Sequence, residues 1–289
     1  MRNLRILITT ALMIALSSVG LSAASAADPV ATNCTSASRA QAPVAQAAAA
    51  PVTVWLAGDS TMANPSSGRC PVGWGSQFDA LFNSDVTVKN QAVGGRSIQT
   101  WLYEGNVSST KGSDGECRLT STTYSSRWQA MLNSSTGMKA GDYLFIQFGI
   151  NDSSSTCPRH VGPAQYRQLM TQMAQAALAR GAHPVLLTPV AAITCSGSTA
   201  TKNRGFVNET FAAGSATRAP VIDLQTLSVS LYNSLHFCPN NGDYGGSGPL
   251  GTFFCNDHTH FDTYGAQRVA GLVADDVRRQ NLPLAAYLT

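Results

Sequence analysis

Short apolar runs alternate with longer amphipathic segments along most of the chain. The apolar runs predict five strands, at residues 52–57, 86–89, 142–148, 184–188 and 221–224. The amphipathic segments predict helices, at residues 73–81, 163–180, 203–213 and 263–279. Pro163 opens the second helix and Gly181 follows it, and Asp262 or Thr263 is the predicted N-cap of the last. The near-continuous apolar strands are typical of a sheet that is buried on both faces.

This alternation of strands and helices predicts the α/β class. We expect one domain over residues 51–289, built as a three-layer α/β/α sandwich with a central five-stranded parallel sheet. In such sheets, ligands bind at the carboxyl ends of the strands. The residues that follow each predicted strand are therefore the first candidates for chemistry.

The first 26 residues have the pattern of a secretory signal peptide. Arg2 and Arg5 precede a short apolar run, and Ala24-Ser25-Ala26 forms a small-residue cleavage site. The alternative is an uncleaved anchor, but several Ser and Thr interrupt the apolar run. We expect a secreted, extracellular protein in which residues 27–50, rich in Ala and Ser, form a flexible leader.

Composition narrows the function classes. Hydrophobic residues make up 44% of the chain, which is ample for a core, and charged residues only 12%. The net charge of +3 would fall to about +1 after loss of Arg2 and Arg5, which argues against a nucleic-acid partner. No phosphate-binding loop of the G-x-x-x-x-G-K-[ST] type is present. We expect a monomer with no membrane span.

The seven cysteines indicate disulfides, because an exported chain meets an oxidising compartment. None lies in a C-x-x-C pair, which argues against a zinc site. One cysteine must remain unpaired or pair outside the chain. The predicted pairs, which leave Cys34 over, are Cys70–Cys117, Cys157–Cys195 and Cys238–Cys255.

Two predicted strands are followed by residues suited to nucleophilic chemistry. Ser60, in the sequence GDST at 58–61, comes directly after the first strand. It is either a nucleophile at the ligand-binding edge or a helix N-cap in a polar turn. Gly94 and Gly95 follow the second strand and let a backbone N–H approach a ligand closely, unless they form an ordinary glycine turn.

Two later segments supply an amide and a base. Asn151, after the third strand, can direct its amide at an oxyanion or form an Asx-turn. His260 is a candidate general base with Asp257 to orient its ring, and the alternative is a metal cluster or a polar loop. A matching second cluster of metal ligands is not evident. Together the four segments supply what acyl transfer requires. The histidines outside this segment, which we interpret as surface or core residues, are His160, His183 and His236.

These blocks resemble a known family. GDST at 58–61, VGGRS at 93–97, GIND at 149–152 and DHTH at 257–260 are similar to the four blocks of the SGNH (GDSL-type) hydrolase superfamily, in its usual order. The resemblance covers about residues 52–280 and implies a flavodoxin-like fold without metal or cofactor. It implies that Ser60 is the nucleophile, His260 the base and Asp257 its partner. It also implies that the oxyanion hole consists of the N–H groups of Ser60 and Gly95 and the amide of Asn151.

The residues in and around these blocks resemble those of rhamnogalacturonan acetylesterases and related carbohydrate esterases. The similarity lies in WLAGDSTMA at 55–63, GWG at 73–75 and VGGRS. It implies a secreted serine esterase that removes acetyl groups from a cell-wall polysaccharide of rhamnogalacturonan or xylan type. Arg96, Trp74 and Trp101 are candidate sugar contacts, although both tryptophans could equally belong to the core.

Two other functions remain open from the sequence. A lipase, phospholipase or general short-chain esterase could use the same fold, but no amphipathic lid segment stands out. A non-catalytic carbohydrate-binding protein would need none of Ser60, Asn151, Asp257 and His260 in this arrangement. A small ester is therefore the alternative substrate to an acetylated polysaccharide.

Overall fold

The computed structural model describes residues 50–66 and 70–289. The predicted signal peptide, Cys34 and all but the last residue of the predicted leader lie outside these residues. No helix in the described part of the chain is both long enough and apolar enough to cross a bilayer.

Nine strands and seven α-helices occur in the described residues. The strands are β1 Val52–Gly58, β2 Val86–Asn90, β3 Val107–Lys111, β4 Cys117–Leu119, β5 Tyr143–Gln147, β6 His183–Leu187, β7 Cys195–Ser196, β8 Thr199–Ala200 and β9 Val221–Ile222. The helices are α1 Ile98–Tyr103, α2 Ser126–Met131, α3 Pro163–Ala179, α4 Val207–Thr217, α5 Leu224–Ser234, α6 Pro249–Phe253 and α7 Thr263–Arg279.

The central sheet has the strand order β2-β1-β5-β6-β9, and all of its pairings are parallel. Two buried apolar clusters cover its faces, and alternate residues of β1 supply them. Val54 and Leu56 belong to one cluster, whereas Trp55 and Ala57 belong to the other. The predicted α/β fold with a five-stranded parallel sheet is confirmed. Two small antiparallel pairs, β3-β4 and β7-β8, lie outside this sheet.

The helices follow the sequence pattern where it is long and capped. Helix α7 has the predicted bounds, with the Asp262 side chain accepting a hydrogen bond from the Thr263 N–H. Helix α4 starts four residues later than predicted, at Val207, since the preceding Phe206 has left-handed backbone (φ 63°) and offers no side-chain cap. The short helices α1 and α2, capped by Ser97 and Ser125, were not predicted, nor were α5 and α6.

The segment at 73–81 is not the α-helix that its pattern predicts. It forms two short 3₁₀ helices, Trp74–Gln77 and Asp79–Leu81. Gly73 packs so closely against the backbone of Met62 and Ala63 that a β-carbon there would collide with it. This close approach, together with a hydrogen bond from the Trp74 N–H to the Thr61 carbonyl (2.8 Å), decides the local structure.

All three predicted disulfide pairings are wrong. The structure pairs Cys70 with Cys255, Cys117 with Cys157, and Cys195 with Cys238, at Cα–Cα distances of 5.6, 5.5 and 5.5 Å. Two of the observed bonds do join consecutive cysteines, but each is shifted by one cysteine from the predicted pair, because the fold, rather than chain spacing, brings the cysteines together. The Cys70–Cys255 bond joins segments 185 residues apart and links the chain after β1 to the chain before α7.

A buried carboxylate ties two turns of the sheet edge together. Asp152 accepts hydrogen bonds from the Ile98 N–H at the start of α1 (2.9 Å) and from the Gly149 N–H after β5 (2.9 Å). Its carbonyl accepts from the Val161 N–H, just before α3 (3.1 Å). Burial raises the pKa of Asp152 to about 7, although the two N–H groups oppose this shift and the charge of Asp59 adds to it.

Loss of the Cys70–Cys255 disulfide should destabilise the protein more than loss of Cys195–Cys238. The chain-entropy model gives about 5 kcal/mol for the longer loop and about 4 kcal/mol for the shorter one. Urea unfolding of the two paired Cys→Ser variants measures the difference. Mapping of disulfide-linked peptides from the unreduced protein is the control, and a Cys238–Cys255 peptide would contradict the structure.

The raised pKa of Asp152 predicts a pH-dependent contribution to stability. Between about pH 4 and pH 7 the folded state keeps a proton that the unfolded carboxyl has lost, so stability falls by about 1.4 kcal/mol per pH unit. Asp152→Asn does not titrate and accepts only one of the two N–H groups. We expect the variant to be less stable at pH 4.5, and its deficit to shrink towards pH 7. Urea unfolding at each pH measures the free energy of unfolding. A difference between the two proteins that stays constant from pH 4.5 to pH 7 would contradict the prediction.

Candidate active site

Ser60 lies in a tight turn at the carboxyl end of β1. The N–H groups of Met62 and Ala63 donate to the Asp59 carbonyl (3.1 and 3.0 Å), so the chain reverses directly after Ser60. The Asp59 side chain accepts from the N–H (2.9 Å) and the hydroxyl (2.8 Å) of Thr61. Asp59 and Thr61 are buried, whereas Ser60 is partly exposed. The turn therefore presents the Ser60 hydroxyl at the surface.

His260 and Asp257 complete a hydrogen-bonded series with Ser60, across 200 residues of sequence. The Ser60 Oγ lies 2.8 Å from Nε2 of His260. The other ring nitrogen, Nδ1, lies 2.7 Å from Oδ2 of Asp257. This arrangement favours the tautomer in which Nδ1 donates to the carboxylate and Nε2 accepts the Ser60 proton.

The loop that carries Asp257 and His260 is closed by backbone hydrogen bonds. The Cys255 N–H donates to the His260 carbonyl (2.7 Å), and the Ile193 N–H donates to the His258 carbonyl (2.9 Å). The disulfide from Cys255 to Cys70 anchors the same loop to the chain that follows Ser60. The distance between the Ser60 hydroxyl and the imidazole is thus set by backbone and covalent links on both sides.

The pKa values of the two acidic side chains of the site are shifted in opposite directions. Burial alone would raise the pKa of Asp257, but hydrogen bonds from the His260 ring and from the N–H groups of His260 and Thr259 hold it below its usual value. Burial does raise the pKa of Asp59, against the hydrogen bonds from Thr61 and the charges of Arg204 and His260. Asp257 is therefore the carboxylate that stays ionised beside the imidazole.

Gly94 and Gly95 pass alongside Ser60. The Val93 N–H donates to the Gly58 carbonyl (2.9 Å), which draws this loop over the end of β1. A β-carbon at Gly94 would lie 3.6 Å from the Ser60 β-carbon. The next N–H along the chain belongs to Gly95, whose φ of +74° favours glycine. Among the described residues, neither the Ser60 N–H nor the Gly95 N–H donates to a protein oxygen.

Asn151 comes from the turn after β5. One hydrogen of its amide is donated to the Arg96 carbonyl (3.1 Å), which links this turn to the loop that carries Gly95. Its side-chain oxygen accepts a long hydrogen bond from Arg159 (3.4 Å). A carboxamide nitrogen has two hydrogens, so one remains for a ligand. The bonds from its neighbours fix the direction in which that hydrogen points.

The predicted sugar contacts of both tryptophans are wrong. Trp74 and Trp101 are fully buried, and each donates its ring N–H inside the protein, to the Gln147 side chain (2.7 Å) and to the Gln91 carbonyl (2.9 Å). Arg96 keeps a 38% exposed side chain, which is ion-paired with Glu104 (2.6 Å). Of the three candidates, only Arg96 is placed to reach a ligand.

Arg204 is a site residue that the sequence analysis missed. Its guanidinium donates to the Thr259 hydroxyl (2.8 Å) and to the Val190 carbonyl (3.3 Å), under the loop that carries Asp257. Burial lowers its pKa, while the nearby carboxylates of Asp59 and Asp257 oppose this. No motif surrounds Arg204 in the sequence. The only feature that could have indicated its role is that a basic residue stands in a segment that follows a strand of the sheet.

The arrangement can support nucleophilic acyl transfer. A hydroxyl faces an imidazole, the imidazole faces a carboxylate, and unpartnered donors lie beside the hydroxyl. In the described part of the chain, no three His, Cys, Asp or Glu side chains are grouped as metal ligands would be.

Comparison with known proteins agrees with this geometry. Residues 56–268 match the GDSL-like lipase/acylhydrolase family model. The chain is 32% identical to rhamnogalacturonan acetylesterase RhgT of Bacillus subtilis over 252 residues, which cover 82% of this chain and 94% of RhgT. It is 28% identical to a rhamnogalacturonan acetylesterase of Emericella nidulans, over 75% of this chain and 81% of the relative.

A solved structure shows the same fold. The crystal structure of the YxiM protein of Bacillus subtilis superposes with a TM-score of 0.61 at 25% identity, over 80% of this chain and 57% of YxiM. The matched family model and the relatives lead to one conclusion: this chain belongs to the GDSL-like lipase/acylhydrolase family of ester hydrolases.

Proposed function

We propose that this protein is a secreted serine esterase that removes acetyl groups from a cell-wall polysaccharide, with rhamnogalacturonan as the first substrate and acetylated xylan as the second. The observation that carries the proposal is the hydrogen-bonded series Ser60–His260–Asp257, with distances of 2.8 and 2.7 Å. A protein that only bound sugar would have no use for this series. The names of the relatives in Bacillus subtilis and Emericella nidulans support the substrate.

In the first half of the reaction, the Ser60 Oγ attacks the ester carbonyl carbon while His260 Nε2 accepts the hydroxyl proton. The carbonyl oxygen becomes an oxyanion. The N–H groups of Ser60 and Gly95 and the free amide hydrogen of Asn151 donate to it. When the carbon–oxygen bond of the ester breaks, His260 returns its proton to the sugar alkoxide. The acetyl group remains on Ser60.

In the second half, water replaces the sugar. His260 accepts a proton from the water molecule, which attacks the acetyl carbonyl, and the same donors hold the new oxyanion. Collapse of the intermediate releases acetate and restores the Ser60 hydroxyl. Asp257 stays ionised and stabilises the imidazolium in both halves, in agreement with its lowered pKa. Neither half requires a metal ion or an organic cofactor.

Export of the enzyme would suit a polymeric substrate outside the cell. The three disulfides among the described residues support an oxidising compartment. The signal-peptide pattern of residues 1–26 supports export through the secretory pathway.

Substrate and mechanism can be tested in one experiment. Acetate release is measured from acetylated rhamnogalacturonan, acetylated xylan and a small aryl acetate, with Ser60→Ala as the matched control. We expect release from rhamnogalacturonan to be fastest and to fall at least ~10⁴-fold in the variant, because the attacking oxygen is gone.

The other outcomes of this assay are equally informative. Release from the aryl acetate alone would keep the serine mechanism and reject the polysaccharide, which leaves a lipase or general esterase. Equal turnover by the parent enzyme and Ser60→Ala would reject Ser60 as the nucleophile. An inactive parent that still binds the polymer would indicate a carbohydrate-binding protein.

Asn151→Ala tests the oxyanion hole. Loss of one such donor lowers kcat by about 10²–10³-fold, with a smaller change in KM, because the amide stabilises the transition state more than the substrate. The matched control is Ser153→Ala, which removes an exposed hydroxyl of the same turn that donates to the Ile150 carbonyl (2.7 Å). Steady-state kinetics on the aryl acetate measures both variants. A control that loses as much activity as Asn151→Ala would indicate that Asn151 acts only through the local fold.

A further inference from the structure

Arg159 lies at the edge of the active site, and the catalytic chemistry described above does not use it. Its side chain is exposed, and its guanidinium donates to the side-chain oxygen of Asn151 (3.4 Å). Among the described residues, no carboxylate lies within ion-pair distance of it. Because Asn151 is the proposed oxyanion donor, only one carboxamide group separates this cation from the place where the ester carbonyl is attacked.

The loop that carries Arg159 is fixed to the rest of the site. On one side, Cys157 is bonded to Cys117 of β4. On the other side, the Val161 N–H donates to the Asp152 carbonyl (3.1 Å). The side chain of Arg159 therefore starts from a backbone position that is held beside the oxyanion donors.

The contact between Arg159 and Asn151 leaves the guanidinium free to take a better partner. At 3.4 Å the contact is long for an N–H···O hydrogen bond. A guanidinium has five N–H donors in a planar fork, which fits the two oxygens of a carboxylate. A hydrogen bond between two charged groups is also stronger than one to a neutral carboxamide. A ligand carboxylate could therefore bind Arg159 without displacing a strong contact.

The neighbouring charges also favour an anionic ligand. Glu104 is the ion-pair partner of both Arg96 and Arg127, so this group of three side chains keeps a net positive charge. The Arg96 carbonyl accepts from the Asn151 amide (3.1 Å), which places the group next to the oxyanion donors. Together with Arg159, it gives this side of the active site a surplus of positive charge, and such a surplus attracts an anionic polymer.

Of the two polysaccharides in the proposed function, one is anionic. Rhamnogalacturonan carries a carboxylate on each galacturonic acid unit, whereas the xylose backbone of acetylated xylan has none. We propose that Arg159 binds a galacturonate carboxylate next to the ester under attack, and so selects rhamnogalacturonan over acetylated xylan. The inference rests on the proposed function for the identity of the polymer. Because this carboxylate takes no part in the reaction at Ser60, its ion pair should lower KM rather than raise kcat.

Arg159→Gln tests this inference in the full-length enzyme, because glutamine removes the charge but keeps a donor for the Asn151 oxygen. Acetate release is measured from acetylated rhamnogalacturonan, from the same polymer with its carboxyl groups methyl-esterified, and from a small aryl acetate. We expect the KM for the charged polymer to rise about tenfold or more, which is the usual effect of losing a hydrogen bond to a charged group. The kcat for the charged polymer, and both constants for the two neutral substrates, should not change.

Two further variants control for charge and for position. Arg159→Lys keeps the charge but lacks the planar fork, so it should keep part of the preference for the charged polymer. Arg167→Gln removes another exposed arginine, from the outer face of α3, and should have the kinetic constants of the parent enzyme.

Inhibition of aryl acetate hydrolysis by deacetylated rhamnogalacturonan oligosaccharides separates this inference from the proposed function. Inhibition that weakens in Arg159→Gln, by an enzyme that releases no acetate from the polymer, would support the carboxylate site and reject the proposed function. An Arg159→Gln variant with the parental KM for the charged polymer and parental inhibition would overturn the inference and leave the proposed function intact. Equal losses on charged and neutral substrates would also overturn it, because Arg159 would then act through Asn151. Neither acetate release from the polymer nor inhibition by the parent enzyme would overturn both.

Discussion

The turn that carries Ser60 rests on a hydrogen-bonded chain that ends at a buried carboxylate. The Trp74 ring N–H donates to Gln147 (2.7 Å), Gln147 donates to the Thr61 hydroxyl (2.6 Å), and Thr61 donates to Asp59 (2.8 Å). Every donor points the same way, and bonds aligned in this manner strengthen one another in a low-dielectric interior. Because Gln147 is paired with Gly58 in the sheet, the chain fixes Ser60 relative to β5 as well as β1.

This support has an electrostatic cost, which Arg204 offsets in part. Asp59 is fully buried, its second oxygen has no hydrogen-bond partner among the described residues, and its charge raises the pKa of Asp152. The guanidinium of Arg204 attracts both Asp59 and Asp257 while it donates to Thr259. One partly buried cation thus stabilises the base of the Ser60 turn and the loop of His260 together.

What the sequence could predict depends on how local the information was. Apolar strands and the capped helix α7 are specified by their own residues, and the four blocks identify side chains that the sheet brings to one edge. The disulfides, the burial of Trp74 and Trp101, and Arg204 depend on contacts between distant segments, which no spacing reveals. Gln147 did indicate such a contact, because a polar residue inside a buried strand must have a hydrogen-bond partner.

One buried residue, Asp152, joins the starts of α1 and α3 to the turn that follows β5. Its side chain accepts from the first N–H of α1 and from the turn that carries Asn151. Its own carbonyl receives the chain that enters α3, and the Cys117–Cys157 disulfide joins β4 to the same loop. Asn151, the proposed oxyanion donor, is therefore held relative to both helices through two turns and a covalent bond.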